Sequence, residues 1–232
     1  MKALIYQPVL IVHILCGFFG LLSGFVAMLA RRKGGSLHNR AGIVFYWSMF
    51  GVFLTTLIFF ILYPTNLKYQ FFFGIGIVSF YPAFTGKRVL AMKKGVNPNW
   101  IDLVAMWLVG VCGLVMIGYA IMINVSTYQI LFGIFGLVCL KDFYSDWKVY
   151  TGRVAAEKMH WFFAHGAKMT GGFSAAMTAF CVNIVPRYLP QDLPQFMYIA
   201  CWVVPGVVIG LWGGSILKKF RQINLTVIHK SF

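Results

Sequence analysis

The chain has 232 residues, 60% of them hydrophobic and only 11% charged, with a formal net charge of +15. A mean hydropathy of +0.79 excludes a soluble globular domain of this length, which has no interior large enough to hide so much apolar surface. The positive charge does not point to nucleic acid, because the basic residues fall in short clusters between apolar runs.

Taken in chain order, seven apolar runs have the length of membrane-crossing helices: 8–30, 41–63, 69–85, 101–123, 127–148, 159–183 and 195–217. The first follows Lys2, is too long for a signal-peptide core and has no A-x-A site behind it, so it reads as a retained span. It carries His13, Cys16 and a GxxxG pair, Gly20 and Gly24. The connection "GGSLHNRAG" follows, with His38 and Arg40, and leads into the second span. The third span holds Pro82, and the fourth opens on Asp102. The fifth ends on Asp142 and Asp146, while the sixth holds His160, His165 and Lys168. The seventh holds Pro205 and a glycine series at 206, 210 and 214, and a basic tail, 218–232, completes the chain. Pro82 and Pro205 are expected to kink or end their helices. The connections are short, so a single all-α domain is expected.

Basic residues set the orientation. Arg31, Arg32, Lys33 and Arg40 lie in the first connection, and Lys87, Arg88, Lys93 and Lys94 in the third. Lys141, Lys148, Arg153 and Lys158 surround the fifth, and Lys218, Lys219, Arg221 and Lys230 occupy the tail. Only Lys2, Lys68 and Arg187 lie on the opposite side. By the positive-inside tendency this predicts a polytopic bundle of seven transmembrane helices in the cell (inner) membrane, N-terminus outside and C-terminus cytoplasmic. The lipid bilayer is then the partner. The glycine-rich faces serve close packing within one chain, and they also allow a homodimer. The five cysteines all lie inside apolar runs, with no CxxC pair, and read as small buried hydrophobes.

One residue breaks the pattern. Lys168 lies about ten residues into the sixth span, roughly 14 Å deep, near the middle of a ~30 Å hydrocarbon core. Ionisable groups at that depth usually face the bundle interior and carry a partner. His165 shares a face with Lys168, and the same stripe continues through Gly172, Ala175, Ala179 and Asn183. Of the five acids, Asp192 is placed outside, Asp102 at the mouth of the fourth span and Glu157 before the sixth. Asp142 and Asp146 remain, four residues apart on one face of the fifth span. Spans five and six are consecutive and are expected to be neighbours. That predicts a cluster of Asp142, Asp146, His165 and Lys168, with Asp142 at the depth of His165 and within reach of the lysine. His38, Arg40, Asp102 and His160 would line its mouth. The same cluster also reads as a charge-paired knot that fixes helix register without chemistry.

The remaining histidines are ambiguous. His13, alone in the outer half, reads as a hydrogen-bonded packing residue, or as a relay or ligand. His38 reads as a solvated loop residue or a contact to lipid phosphate. His160 and His165 are five apart, which does not suit joint chelation.

Five stretches, "VHILCGFFGLLSG", "LHNRAGIVFYW", "YPAFTGKRVL", "HWFFAHGAKMTGGFSAAMTAFCVN" and "WVVPGVVIG", carry a family likeness. In this order they resemble an uncharacterised family of bacterial multi-spanning proteins, classed as a domain of unknown function, over most of the chain. The resemblance implies a membrane bundle with histidines in the first span, the first connection and the sixth span, and it implies no particular reaction. Family members typically carry a basic residue directly after the loop histidine, where this chain has Asn39 before Arg40.

Three function classes follow. The first is a membrane protein with a cytoplasm-facing ion, proton or small-ligand site at the charged cluster. The second is a b-type haem redox protein, which needs two histidines at matched depth on facing helices. His13 lacks an outer partner for that, and His165 can pair only with His38 or His160. The third is a seven-span metal-dependent hydrolase, with His38 and His165 as the metal candidates. It needs three histidines around zinc, and the seventh span has none. A retinal protein would need a lysine midway along the last span, whereas Lys218 and Lys219 lie at its end.

Overall fold

A computed structural model describes residues 2–124, 126–155, 159–188 and 194–229. Glu157, Lys158, Asp192 and Lys230 lie outside the described residues. Seven α-helices account for nearly all of the rest: α1 Lys2–Leu29, α2 Ser36–Leu62, α3 Leu67–Arg88, α4 Trp100–Met122, α5 Ser126–Tyr150, α6 His160–Ile184 and α7 Gln195–His229. No strand occurs among the described residues. Five helices, α1, α2, α4, α6 and α7, contain stretches long and apolar enough to cross a membrane.

Consecutive helices pack as antiparallel pairs. His13 meets Thr55 and Gly20 meets Ser48 between α1 and α2. Gly110 meets Phe143 and Gly136 meets Ile117 between α4 and α5. Gly166 meets Leu217 and Ser174 meets Gly206 between α6 and α7. The described parts of the α1–α2, α3–α4 and α5–α6 connections therefore share one end of the bundle with the C-terminal end of α7. Lys33, Lys94, Arg153 and Arg221 all lie at that end.

The centre of the bundle is α3, which packs against α2, α4, α5 and α6. Its side chains enter both apolar clusters: Phe71, Val78 and Tyr81 join Val109, Met116 and Phe132, whereas Ala83 joins Phe45, Met49 and Phe173. A helix enclosed by protein rather than lipid gains from small residues that let neighbours approach. Gly74, Gly76, Ser79, Ala83, Thr85 and Gly86 are all buried there. This composition keeps α3 out of the five most apolar helices, and Lys141, Asp142, Asp146 and Lys148 do the same for α5. The outer helices show the reverse pattern. On α1, Ile11, Ile14, Phe18 and Leu22 are exposed, and on α4 so are Leu108, Val111 and Leu114.

Three expectations change. Pro82 and Pro205 lie inside α3 and α7, which continue past them to Arg88 and His229. Neighbouring helices and local adjustments accommodate such prolines in membrane bundles. Residues 218–229, read above as part of a tail, continue α7. Helices α5 and α6 are not close neighbours, because α3 packs against each of them.

Of the glycine-rich faces, Gly20 and Gly24 are used within the chain. A side chain at Gly24 would strike the rings of Phe173 and Phe45. Gly206 faces Ser174 and Thr178, while Gly210 and Gly214 meet no neighbouring atom.

Candidate functional site

Lys168 projects from α6 past α3. Its Nζ donates to Asp146 Oδ2 at 2.6 Å, to Asp146 Oδ1 at 2.8 Å and to Thr85 Oγ1 at 3.0 Å. All three ammonium donors are thereby used. The Tyr81 hydroxyl donates to Asp146 Oδ2 at 2.5 Å, and the Thr85 hydroxyl donates back to the Tyr81 carbonyl at 2.9 Å. The ammonium also lies 5.5 Å from the Tyr81 ring centroid. Asp146 is buried, at 4% exposure, and the Lys168 side chain retains 19%. Among the described residues no buried side-chain nitrogen or oxygen lacks a partner. Such closure is what a buried ion pair requires, since desolvation otherwise exceeds the attraction between the charges.

The reach depends on Gly86. A β-carbon there would sit 3.0 Å from Lys168 Cβ, so α3 approaches α6 closely only because the side chain is missing. The same approach brings the Gly86 carbonyl to the His165 Nδ1, 2.8 Å away. His38, in the first turn of α2, places its Nδ1 3.0 Å from the Ala27 carbonyl. A carbonyl only accepts, so each Nδ1 carries a proton and donates it, and neither Nε2 is held by these two bonds. The two rings face one another with centroids 6.2 Å apart and planes at 76°. His38 is therefore a half-buried helix residue rather than a solvated loop residue.

The other candidates separate from this cluster. Asp142 is not the counter-ion of Lys168. It pairs with its exposed neighbour Lys141 at 3.1 Å and stays 25% accessible. One turn of α5 further on, Asp146 faces α3 instead. Asp102 does not line the mouth. It is 1% exposed, takes a two-pronged contact from Arg88 at 2.7 and 2.9 Å, and accepts from the Asn99 backbone at 3.0 Å in a capping box. It thus ties the end of α3 to the start of α4. Arg40 is exposed. His13 joins Thr55 at 2.7 Å, and Thr55 is itself anchored to the Gly51 and Val52 carbonyls. His160 opens α6 and lines a furrow against α7.

Along the expected stripe of α6, Gly172 is buried against Ala83 and Phe45, whereas Asn183 emerges exposed and donates to the Ala179 carbonyl. The five cysteines are free. No group of three or more His, Cys, Asp or Glu side chains converges as a metal site among the described residues.

Sequence reasoning missed Tyr81, Thr85, Gly86 and Arg88, all on α3. A signal existed: Tyr81 and Thr85 are four apart, on one helix face, within a segment otherwise of small residues. Comparison with known protein families, with characterised proteins and with solved structures finds no match.

Proposed function

We propose that this protein is a seven-span membrane protein of the cell (inner) membrane with a proton-responsive site in its cytoplasmic half. The N-terminus is outside and the C-terminus cytoplasmic. The charge-bearing element of the site is the Asp146–Lys168 pair, and His165 and His38 form its route to the basic end. One observation carries this reading. A closed ion pair lies among membrane-spanning helices, and one turn toward the basic end His165 holds the Gly86 carbonyl through Nδ1 with its ring beside that of His38. Charged groups at such depth commonly mark ion or proton sites. The 22 residues of α3 and 25 of α5 support seven crossings, since at about 1.5 Å per residue they run roughly 33 and 38 Å. Orientation rests on the basic end, where Lys87, Lys93, Lys148 and Arg153 lie over Tyr46, Trp161, Tyr144 and Trp147 rings as interfacial cations do. The bundle and its histidine placement also accommodate the motif resemblance to bacterial multi-spanning proteins.

The chemistry follows from the network. With Asp146 ionised, the lysine and the tyrosine hydroxyl both donate to it. A proton reaching Asp146 from the basic end removes the acceptor charge and releases the ammonium, so the link from α5 to α6 loosens. Proteoliposomes on a solid-supported membrane test this with pH jumps and a cation panel. Wild type is expected to give transient charge movement that Asp146→Asn and Lys168→Met abolish while remaining folded. A flat wild-type response across the whole panel would leave only a register-fixing clamp.

A second reading is ligation of a haem iron or other metal by His38 and His165. The two rings approach to 6.2 Å between centroids, within reach of one shared metal. Carbonyl-anchored Nδ1 atoms are also typical of ligating histidines. An optical spectrum after expression with haem supplied, together with metal analysis, tests it. Absence of both a Soret band and stoichiometric metal ends it.

A further inference from the structure

A furrow of about 650 Å³ opens between α6 and α7 near the basic end of the bundle. That volume falls within the range of about 300–1,000 Å³ typical of ligand sites. Its floor is apolar, formed by Phe163, Ala164, Ala167 and Leu217. The furrow stays open because small residues face each other there: Ala164 and Ala167 on one helix, Gly214 on the other. Its rim is cationic, with Lys218 and Arg221 on α7, and His160 stands at the first turn of α6. The Arg221 guanidinium lies 4.9 Å from the Phe163 ring centroid, which holds it over the floor.

We propose that this furrow binds one anionic phospholipid, with an acyl chain along the apolar floor and the phosphate against Lys218 and Arg221. This rests on the bundle's residence in a bilayer and is independent of the Asp146–Lys168 chemistry. Charge complementarity selects the occupant. A neutral apolar ligand matches only the apolar floor, and a soluble anion matches only the cationic rim. A phospholipid matches both halves, with its phosphate at the level where basic pockets between spans meet anionic headgroups. The N-terminal end of α6 adds a favourable partial charge for the same phosphate.

The experiment uses detergent-purified full-length protein, titrated with phosphatidylglycerol, phosphatidylcholine or inorganic phosphate and read by native mass spectrometry and thermal melting. One phosphatidylglycerol per chain is expected to be retained and to raise the melting temperature, with phosphatidylcholine and phosphate inactive. The double variant Lys218→Gln/Arg221→Gln is expected to bind on the order of tenfold more weakly. Ala167→Leu, at an exposed floor position, is expected to block retention with the charges intact. The control Lys93→Gln/Lys94→Gln, which removes the same charge from the same end, is expected to bind normally. Equal retention of both lipids overturns the proposal, as does equal loss in the control pair. Stabilisation by inorganic phosphate alone makes this a soluble-anion site and also overturns it. The lipid assay reads no proton movement, so its failure leaves the Asp146–Lys168 reading standing, and the reverse holds.

Discussion

Lys168 and Asp146 meet across a helix that belongs to neither of them. The ammonium starts on α6, passes α3 at Gly86 and takes both carboxylate oxygens of α5, at 2.6 and 2.8 Å. Thr85 and Tyr81 of α3 complete the shell, so one ion pair joins three helices.

Breaking this pair from one side should be costly. Lys168→Met or Asp146→Asn leaves a buried polar group with lost partners, and each is expected to destabilise by about 3–5 kcal/mol. The double variant should lose clearly less than the sum. Asp142→Asn, on the exposed pair with Lys141, should stay within about 0.5–1 kcal/mol of wild type. Thermal melting of all four in one detergent measures the contrast. Additive single-variant losses, or an Asp142 effect as large as that of Asp146, would contradict the geometry.

Gly86 predicts a steric effect. An added methyl sits 3.0 Å from Lys168 Cβ and 3.4 Å from Met169 Cε. Gly86→Ala should therefore push α3 from α6 and cost about 1–3 kcal/mol. Gly210→Ala meets nothing and should be neutral or slightly stabilising through helix propensity. Equal melting temperatures for the two variants would argue against the close approach.

The start of α4 depends on Asn99 and Asp102 together. Asn99→Ala removes the side chain that accepts from Ile101 and Asp102 backbone N–H groups and should cost about 1 kcal/mol. Arg88→Lys retains charge but loses the two-pronged contact at 2.7 and 2.9 Å, and should also destabilise. Combining Arg88→Lys with Asn99→Ala should be non-additive, because both act on Asp102. Chemical or thermal unfolding of the single and double variants checks it.

Orientation is open to direct labelling. In a background lacking the five native cysteines, cysteine at Gly34 or Lys94 should react with a membrane-impermeant maleimide only after the cytoplasmic side is opened. Cysteine at Asn66 should react in intact cells. Reversed labelling would invert the proposed topology, and Asn66 reacting from the same side as Lys94 would remove α3 as a crossing.

The helices were legible because lipid-facing segments must be long and apolar, and the basic clusters mark one end of the bundle. The lysine was legible for the converse reason, since a cation among Phe163, Ala167 and Met169 needs an explanation. Its partner was harder to read. Chain adjacency suggests that α5 and α6 touch, and helical rise puts Asp142 at the depth of His165. Neither argument sees α3, whose glycines mark it as the helix others surround but do not say which neighbours it separates. The His38–His165 approach was hidden similarly, because it depends on α2 beginning at Ser36 and carrying His38 in its first turn.

The central position of α3 also constrains how the protein is made. Thr85 and Lys168 are 83 residues apart in the chain. During synthesis Tyr81 and Thr85 are made before Asp146, and Asp146 before Lys168. The innermost helix is thus an early arrival that stays incompletely enclosed until the sixth segment is delivered. Shortened chains ending before residue 160 should accordingly be preferred targets for membrane quality control, although each of their helices is already complete.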